Sequence, residues 1–560
     1  MRPVPKPQHL LAALLFVAVA VLYGYQATSD ARLSDSQAYL SASSLKYHDP
    51  SLFPADAIFG ASRLWQVHSP ALLGMLDLVL IPSGFSDMTL PFRILVAFVS
   101  LVYLSSMYAL VYRQCRNWSV AAFTAVLSST VIYGVGSSYW GVGSLGSITP
   151  WAICISLMPL IVLAFLRHMH QWYRLLLVFV LTGLMGNIHL AAAMDLAAVL
   201  ILVYLGQRQF APKAWLAAGS FALAALLGAA PFGAYLLALK QSLNPQDVTA
   251  SAAVTAQAFE MADLATLYPG MLKAMLNWVM VMAIVLVIPA IVVLSKVERY
   301  RVRDMKVWVW FFAASLFVSL GIHGLLQALG AMRNSAPVII DFVQAGSFIM
   351  LSLYVMFSQA LTNLFRLVHE HRILVRLGCA ALMAVWMIPS DNLRVSRYAV
   401  LDMATMYMDE QDKPRSIQRH HEAAQRREEL EAIGHYAAVE SPKDAVFIVR
   451  SAPSFRMVSR RSMVACPQDL VYLFYLAPAK LESYLDLLAA QERLLHPASG
   501  RADLGQIKQW ASELSQQKAD YSQAGAWYVI LDAEDAPEKE SVGEILSSRW
   551  GRSYRLFRID

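Results

Sequence analysis

Charged residues are scarce in this 560-residue sequence: Asp, Glu, Lys and Arg make up 15% of it, whereas apolar residues make up 57%. The mean hydropathy of +0.48 is too high for a water-soluble chain of this length. The sequence also lacks internal repeats and low-complexity tracts, which excludes solenoid and linker proteins. The composition therefore predicts a protein embedded in a membrane for most of its length.

Cysteine is equally scarce. Cys115, Cys154, Cys379 and Cys466 lie far apart without metal-ligand spacing, so neither a disulfide framework nor a zinc site is indicated. The net charge of +6 comes from short basic clusters between apolar segments, with no basic and aromatic face of the kind that binds nucleic acid. We therefore expect no nucleic-acid partner and attribute the excess charge to membrane topology.

Apolar segments long enough to span a membrane occupy the first 389 residues. A span needs about 20 apolar residues. Segments of this kind lie at 9–27, 92–112, 119–136, 150–166, 214–238, 272–295, 307–328, 337–362 and 373–389. The first one follows a basic start and ends without a cleavage site, which favours an uncleaved span over a signal peptide.

The stretch 174–205 is apolar but interrupted by Gly186, Asn187 and His189. It is either one long helix or two short ones with a turn at GNIH, although a helix of about 14 residues is short for a full crossing. The Lys and Arg clusters between spans all fall on one side only if this stretch crosses twice, and the positive-inside tendency makes that side the cytoplasm. The prediction is about eleven spans, a cytoplasmic N-terminus and an external C-terminal region.

The composition becomes polar after Ser390. Residues 402–435 have helical spacing, and the strings DAVFIV, GAWYVILDAED and RSYRLFRI predict strands on either side of a helical stretch at 476–517. We predict a transmembrane domain at 1–389 and a soluble periplasmic α/β or α+β domain at 390–560. The predicted fold class is mainly α, a polytopic membrane helix bundle with a C-terminal α/β domain.

The stretch 28–91 between the first two spans is a long polar loop that contains Asp30, Asp35, Asp49 and Asp56. Carboxylates at a membrane surface can serve as a general base, or can hold a divalent cation that offsets phosphate charge. They are also favoured at helix caps and turns, so residue type alone leaves these roles open. The apolar segment 71–81 within the loop is short, which favours an interfacial or re-entrant helix over a span.

This layout resembles the GT-C superfamily of membrane glycosyltransferases, which includes protein mannosyltransferases, oligosaccharyltransferases and the aminoarabinose transferase of lipid A. Asp35 with Tyr39 matches the acid-x-x-x-Tyr motif that opens the first external loop of those proteins. Asp49 or Asp56 matches their second acid, and His68-Ser69-Pro70 loosely matches the closing motif.

The C-terminal strings DAVFIV and FRMVSRRS also resemble the extracytoplasmic end of uncharacterised bacterial members. The sequence departs from the family pattern at Ser36, where many members carry a second acid. It also lacks a WWDYG-like motif, which argues against transfer to protein asparagine.

The resemblance implies a bacterial inner-membrane enzyme that takes a sugar from a polyprenyl-phosphate donor among the membrane lipids and transfers it to a cell-envelope acceptor on the periplasmic side. It implies that Asp35 orients or deprotonates the acceptor hydroxyl. It further implies that Asp49 or Asp56 positions the donor or binds a divalent cation, Mg²⁺ or Mn²⁺.

Cationic groups near the outer face would hold the departing phosphate, whose charge grows as the glycosidic bond breaks. The candidates are Arg63, His68, His189 and Arg333. Tyr39, Asp341 and Gln344 are expected to line the cavity. Each cation also has a structural alternative, since an arginine can lie along the membrane interface and a histidine can cap the turn at GNIH.

Two other functions remain open from the sequence. A transporter or flippase of lipid-linked or soluble solutes would also place ionisable residues such as Asp195, His323 and Asp341 within apolar segments. Transporters more often have repeated halves with paired broken helices, however, and no second half is recognisable here. A non-catalytic envelope assembly factor, binding a partner through the C-terminal domain, is the third hypothesis.

Overall fold

The computed structural model describes residues 7–29, 33–60, 62–131, 140–243, 252–261, 305–332, 342–367, 371–450, 452–497, 500–537 and 553–559. These residues form helices along most of their length and a four-stranded sheet near the C-terminus. The predicted fold class, mainly α with a small C-terminal α/β unit, is confirmed.

The helices of the first part of the chain include long apolar segments and shorter ones. They are α1 (Pro7–Ser29), α2 (Asp35–His48), α3 (Pro70–Leu80), α4 (Leu90–Cys115), α5 (Trp118–Ser129), α6 (Pro150–His168), α7 (Trp172–Met185), α8 (Leu190–Gln207), α9 (Pro212–Leu243), α10 (Ala252–Met261), α11 (Met305–Leu316), α12 (His323–Met332), α13 (Phe348–Leu367) and α14 (Arg372–Met387).

Seven apolar helices in the described part of the chain are long enough to cross a membrane. They are Pro7–Ser29, Leu90–Cys115, Pro150–His168, Leu190–Gln207, Pro212–Leu243, Lys306–Leu326 and Gln344–Arg366. The chain is thus a multi-pass membrane protein, as its composition predicts. The predicted span 272–295 lies outside the described residues, so the total of about eleven spans stays a prediction.

The stretch 174–205 forms two helices, α7 and α8, separated by a turn at 186–189. The Asn187 side chain holds this turn against α9, since its amide donates to the Gly228 carbonyl at 3.1 Å and its oxygen accepts from the Phe232 N–H at 3.2 Å. Close backbone contact reinforces the packing of α7 on α9: a Cβ on Gly183 would lie 2.0 Å from the Ala225 carbonyl oxygen.

Helix α3 corresponds to the short apolar segment within the first loop. It begins at Pro70, a residue suited to the first helical turn. Its 11 residues extend about 16 Å, roughly half the hydrocarbon thickness of a bilayer. Its one acid, Asp77, accepts hydrogen bonds from Ser44 Oγ at 2.5 Å and pairs with His48 Nε2 at 3.1 Å, both on α2. The α2 helix therefore offsets the cost of burying this carboxylate.

Beyond residue 390 the chain alternates helices with short strands. The elements are α15 (Arg394–Ala404), α16 (Arg415–Glu440), β1 (Ala445–Ile448), α17 (Pro453–Ser459), β2 (Ser462–Met463), α18 (Asp469–Leu476), α19 (Leu481–Leu495), α20 (Leu504–Gln517), β3 (Ala526–Asp532) and β4 (Tyr554–Arg558). The boundary at residue 389 and its side of the membrane stay predictions.

The sheet has the order β2-β1-β3-β4. Strand β1 pairs in parallel with β2 and β3, whereas β3 pairs antiparallel with β4. Strand β1 is buried at every position and β3 at all but its last, as expected for strands covered on both faces. Helix α17 packs against α2, and α18 packs against the 3-10 turn Leu64–Val67. The C-terminal unit is thus docked on the first loop.

Candidate active site at the first loop

In the described part of the first loop, Gln37 fixes the first turn of helix α2. The Gln37 side-chain oxygen accepts the N–H of Ser34, the N-cap residue, at 2.8 Å. Its amide donates to the carbonyls of Leu145 and Ile148 at 2.6 and 2.8 Å. These bonds attach the start of α2 to the loop before α6 and so fix the position of Asp35, the first residue of the helix.

Asp35 is exposed at this helix start, where it accepts a hydrogen bond from the Gln468 side chain. Neighbouring groups remove part of its hydration, which raises the pKa of Asp35 above its ordinary value although the bond from Gln468 opposes the rise. An accessible carboxylate with a raised pKa has the property expected of a general base. Of the three predicted acids, Asp35 has this combination.

Tyr472 lies within electrostatic range of Asp35, and His68 lies beside Tyr472. Burial is the main cause of the raised pKa of Tyr472, and the charges of Asp469 and, less strongly, Asp35 add to it. His68 Nε2 lies 3.5 Å from the Tyr472 hydroxyl, and their rings meet edge to face at 5.7 Å between centroids. Burial lowers the pKa of His68 to about 4. At neutral pH both groups are therefore uncharged hydrogen-bonding groups.

A buried ionic cluster lies behind this open layer, centred on Arg456 of α17. Its Nε donates to Asp56 Oδ2 at 2.8 Å, and its two terminal nitrogens donate to Asp469 Oδ1 and Oδ2, each at 2.7 Å. Arg456 is 1% exposed and both acids are fully buried. The guanidinium also lies over the rings of Tyr39 and Phe59, at 5.6 and 5.4 Å from their centroids.

The cluster contains two carboxylates and one guanidinium, so one negative charge has no cationic partner within it. Hydroxyl donors stabilise this charge. Asp469 accepts the hydroxyls of Tyr39 and Tyr484 in addition to its bidentate bond from Arg456. Burial and the charge of Asp469 raise the pKa of both tyrosines, so they remain donors. A buried ion pair is stable only with such complete hydrogen bonding.

Asp56, a predicted catalytic or metal-binding residue, is fully occupied by these contacts. Its Oδ1 accepts the N–H groups of Ile58 and Phe59, and its Oδ2 accepts from Arg456 and from the Met463 N–H. Four bonds use all the lone pairs of the two oxygens. We therefore assign Asp56 to attaching the C-terminal unit to the loop, since its oxygens have no capacity left for a metal or a substrate.

Asp49 lies at the opposite end of α2, as the C-cap residue. Its Oδ1 accepts the N–H and hydroxyl of Ser51 at 3.0 and 2.5 Å, which lowers the pKa of Asp49, and Lys443 Nζ lies 3.8 Å from Oδ2. The 14 residues of α2 separate Asp35 from Asp49 by about 20 Å. These two acids therefore cannot share a ligand, and the contacts of Asp49 are those of a turn residue.

The predicted phosphate-binding residues are in different settings. Arg63 is exposed, has a left-handed backbone (φ 55°), and forms no ion pair with any residue that the structure describes. His189 instead caps α8, because its Nδ1 accepts the Ala192 N–H at 3.1 Å, and its ring meets Trp151 edge to face. The structural alternative thus describes His189 well, while Arg63 remains available. Arg333 lies outside the described residues.

The predicted cavity-lining residues divide similarly. Tyr39 is 3% exposed and belongs to the buried Arg456 cluster rather than to an open wall. Gln344 lies in the 3-10 helix Phe342–Ser347, where its carbonyl accepts from Ser347 Oγ at 2.7 Å. Asp30 and Asp341 lie outside the described residues.

Four residues of this region, Arg456, Gln468, Asp469 and Tyr472, carry no motif from which a role could be predicted. The signal for one of them was available: Asp469 opens the apolar helix DLVYLFYL, and a carboxylate next to such a run requires a buried partner. The string FRMVSRR contains that partner, Arg456. Sequence alone does not show which of its three arginines is buried.

The chain resembles a solved structure in its fold, whereas its sequence matches no family model. No protein-family model matches the chain, and no curated protein matches it. Among solved structures it is similar to the crystal structure of ArnT from Cupriavidus metallidurans in the apo state, with a TM-score of 0.49 and 12% sequence identity over 98% of this chain and 97% of that one. At this level the likeness carries no argument about function.

Proposed function

We propose that this protein is a membrane glycosyltransferase that moves a sugar from a polyprenyl-phosphate donor to a hydroxyl of a cell-envelope acceptor on the periplasmic side. The observation that carries the proposal is the setting of Asp35. It is an accessible carboxylate with a raised pKa, held at a helix start between the membrane helices and the docked C-terminal unit. The resemblance of Asp35 and Tyr39 to the opening motif of the GT-C superfamily supplies the reaction class.

Asp35 acts as the general base in this proposal. Its carboxylate takes the proton of the acceptor hydroxyl while the hydroxyl oxygen bonds to the anomeric carbon of the sugar. The bond from that carbon to the phosphate oxygen breaks, and the polyprenyl phosphate leaves with the electron pair. Gln468 orients the carboxylate, because its amide donates to Asp35 while its own oxygen accepts from Cys466 Sγ at 2.7 Å.

The neighbouring groups stabilise the departing phosphate without adding charge near the base. While neutral His68 and protonated Tyr472 stay bonded to each other, the pair has one hydrogen left to donate to a phosphate oxygen. Arg63, which directly precedes the Leu64–Val67 turn, supplies a positive charge from the exposed surface of the same loop. The cationic role predicted for His68 is therefore transferred to Arg63.

A divalent cation does not fit the acids predicted to hold it. Asp56 has no free lone pair, and Asp49 is about 20 Å from Asp35 along α2. No step of the proposal therefore uses a metal at these residues.

The test is the glycan profile of the native host carrying Asp35→Asn, with Asp49→Asn as the matched control. The same change of charge is made at the two ends of one helix. We expect Asp35→Asn to remove a sugar from an envelope glycan, seen by mass spectrometry, at unchanged protein level, and Asp49→Asn to leave it intact. Unaltered glycans in Asp35→Asn would overturn the proposal and favour transport or envelope assembly instead.

A further inference from the structure

The C-terminal unit contains a cavity of about 210 Å³ that the proposed transferase site does not use. It lies where the parallel strands β1 and β3 end, and residues at both strand ends, Arg450 and Asp532, line it. In the order β2-β1-β3-β4, the chain leaves β1 toward β2 at one edge of the sheet and leaves β3 toward β4 at the other edge. The two chain paths therefore diverge between β1 and β3. Crevices at such positions, outside the carboxyl ends of parallel strands, are where α/β folds bind ligands.

Two side chains that line this cavity, His496 and Asp532, form a group of metal-ligating residues with Asp535. Ligand atoms of His496, Asp532 and Asp535 all lie within 4.8 Å of one another. His496 Nδ1 is 2.6 Å from Asp535 Oδ2. One imidazole and two carboxylates form a ligand set suited to divalent ions such as Zn²⁺ and Mn²⁺. The side chains are about a quarter exposed (25%, 27% and 26%), so an ion can reach them.

The carboxylate of Asp532 has spare coordinating capacity. Its nearest cation among the described residues is Arg450, whose Nη1 lies 3.8 Å from Oδ2, beyond hydrogen-bonding distance. Arg450 is closer to Glu492, at 3.3 Å, and can keep that partner if Asp532 binds an ion. An ion between His496 and the two acids would therefore displace no short contact of Asp532.

The backbone holds the two acids in place before any ion binds. The N–H groups of Asp535 and Ala536 donate to the Asp532 carbonyl at 3.0 and 3.1 Å, and the Asp535 carbonyl accepts the Ala502 N–H at 2.8 Å. His496 directly follows α19, and its N–H donates to the Glu492 carbonyl at 2.9 Å. Fixed ligands reduce the ordering cost of binding.

We propose that His496, Asp532 and Asp535 bind a divalent metal ion of the Zn²⁺ or Mn²⁺ type, with its remaining coordination positions open to the cavity. Arg426 and Tyr554 line the same cavity. An anionic oxygen ligand on the ion would find a guanidinium and a hydroxyl within the same space. The site shares no residue with the proposed transferase site and does not depend on that function.

The test is metal binding by the purified full-length chain in detergent after treatment with a chelator. Calorimetric titration with Zn²⁺ and with Mn²⁺ should show saturable binding of one ion per chain. His496→Gln and the double variant Asp532→Asn, Asp535→Asn should each weaken binding at least about tenfold, since each removes ligands. The matched control is Asp486→Asn, which changes an exposed acid on α19, the helix that His496 directly follows. This variant should bind the ion as the unaltered chain does.

Thermal unfolding provides a second reading of the same variants. The ion should raise the unfolding temperature of the unaltered chain and of Asp486→Asn, because it binds the folded state, and should not raise that of the double variant. Absence of saturable binding by the unaltered chain at millimolar metal would overturn the proposal. Binding that persists undiminished in both ligand variants would overturn it equally.

Discussion

Arg456 and Asp56 are 400 residues apart in the sequence, yet Arg456 Nε donates to Asp56 Oδ2 at 2.8 Å in the interior of the protein. The bond joins the small helix α17 of the C-terminal unit to the first loop. Asp469 and Tyr39 complete the same cluster, one from each of these two regions. The first loop and the C-terminal unit therefore form one structural body, and the setting of Asp35 depends on both.

Replacing Arg456 by Met should destabilise this body severely. The substitution keeps most of the side-chain volume but leaves Asp56 and Asp469 buried without a counter-charge, which costs about 3–5 kcal/mol. Thermal unfolding of the detergent-solubilised protein should show a large loss of stability. The control is Arg493→Met on the exposed side of α19, where Arg493 bonds the Ala489 carbonyl of its own helix and, among the described residues, no other group. Equal stability of the two variants would contradict the buried cluster.

Asp56→Asn and Asp49→Asn should differ in the same assay. Each oxygen of Asp56 accepts hydrogen bonds from two N–H groups. In either orientation of the side-chain amide, the NH₂ group of an Asn at position 56 would therefore face two N–H donors. The loss should be about 3–5 kcal/mol, as for other broken buried pairs. An Asn at position 49 keeps the oxygen that accepts from Ser51, so its cost should stay below about 1 kcal/mol. A tolerated Asp56→Asn would restore Asp56 as a candidate functional acid.

The fold class could be predicted from the sequence because apolar length and composition determine it locally. The helices α7 and α8 follow directly from the interruption at Gly186 and Asn187, and the strands β1 and β3 from two buried apolar runs. The site could be predicted only in part. Asp35 and His68 lie in one continuous loop, whereas Arg456 and Asp469 reach it through tertiary contacts that no local pattern encodes.

Residue type alone does not distinguish the three acids of the first loop. Asp35, Asp49 and Asp56 are the same residue type within 22 positions, but their surroundings differ in every respect. Asp35 is exposed at the start of helix α2, Asp49 lies in the turn at its end, and Asp56 is buried among four hydrogen-bond donors. The number of donors around each carboxylate separates these roles, and that number is a property of the folded chain.

Asp35→Asn should remove activity while slightly stabilising the protein. The pKa of Asp35 is raised in the folded state, so at pH above its ordinary pKa the ionised carboxylate opposes folding, and a neutral Asn removes that cost. Loss of the base should lower the transfer rate by about 10²–10⁴-fold. The unfolding temperature at neutral pH should therefore equal or exceed that of the unaltered chain. A marked fall in stability would instead show that Asp35 holds the loop together.

His68 should make stability depend on pH in the acidic range. Its folded-state pKa of about 4 lies below the ordinary value of 6.5, so the unfolded chain gains a proton first as the pH falls. Stability from this group is complete above pH 6.5 and decreases as the pH falls toward 4. The loss should reach about 2 kcal/mol near pH 5.

The measurement for His68 is thermal unfolding near neutral pH and near pH 5, in the unaltered chain and in His68→Gln. Other titrating groups are common to both proteins, so the difference between their two pH responses isolates His68. We expect His68→Gln to lose less stability on acidification. Identical pH responses would show that His68 is hydrated enough to titrate normally, and would restore it as a candidate cation for the donor phosphate.

Two glycines of α9 should respond in opposite directions to the same substitution. A Cβ on Gly228 would lie 2.4 Å from the Val180 carbonyl oxygen and 2.9 Å from the Leu184 nitrogen, both backbone atoms of α7, whereas a Cβ on Gly219 would meet nothing within 4 Å. Gly228→Ala should force α7 and α9 apart and cost about 1–3 kcal/mol. Gly219→Ala should be neutral or stabilising by up to about 1 kcal/mol, because Ala favours a helix over Gly. Thermal unfolding of both variants tests this prediction, since equal effects would show that α7 and α9 do not pack through Gly228.

Gly228→Ala should also reduce transferase activity beyond its effect on protein level. Asn187 anchors the turn at 186–189 on α9, and Ser69 Oγ of the first loop donates to the Asn187 carbonyl. A shift of α9 would therefore be transmitted to the first loop.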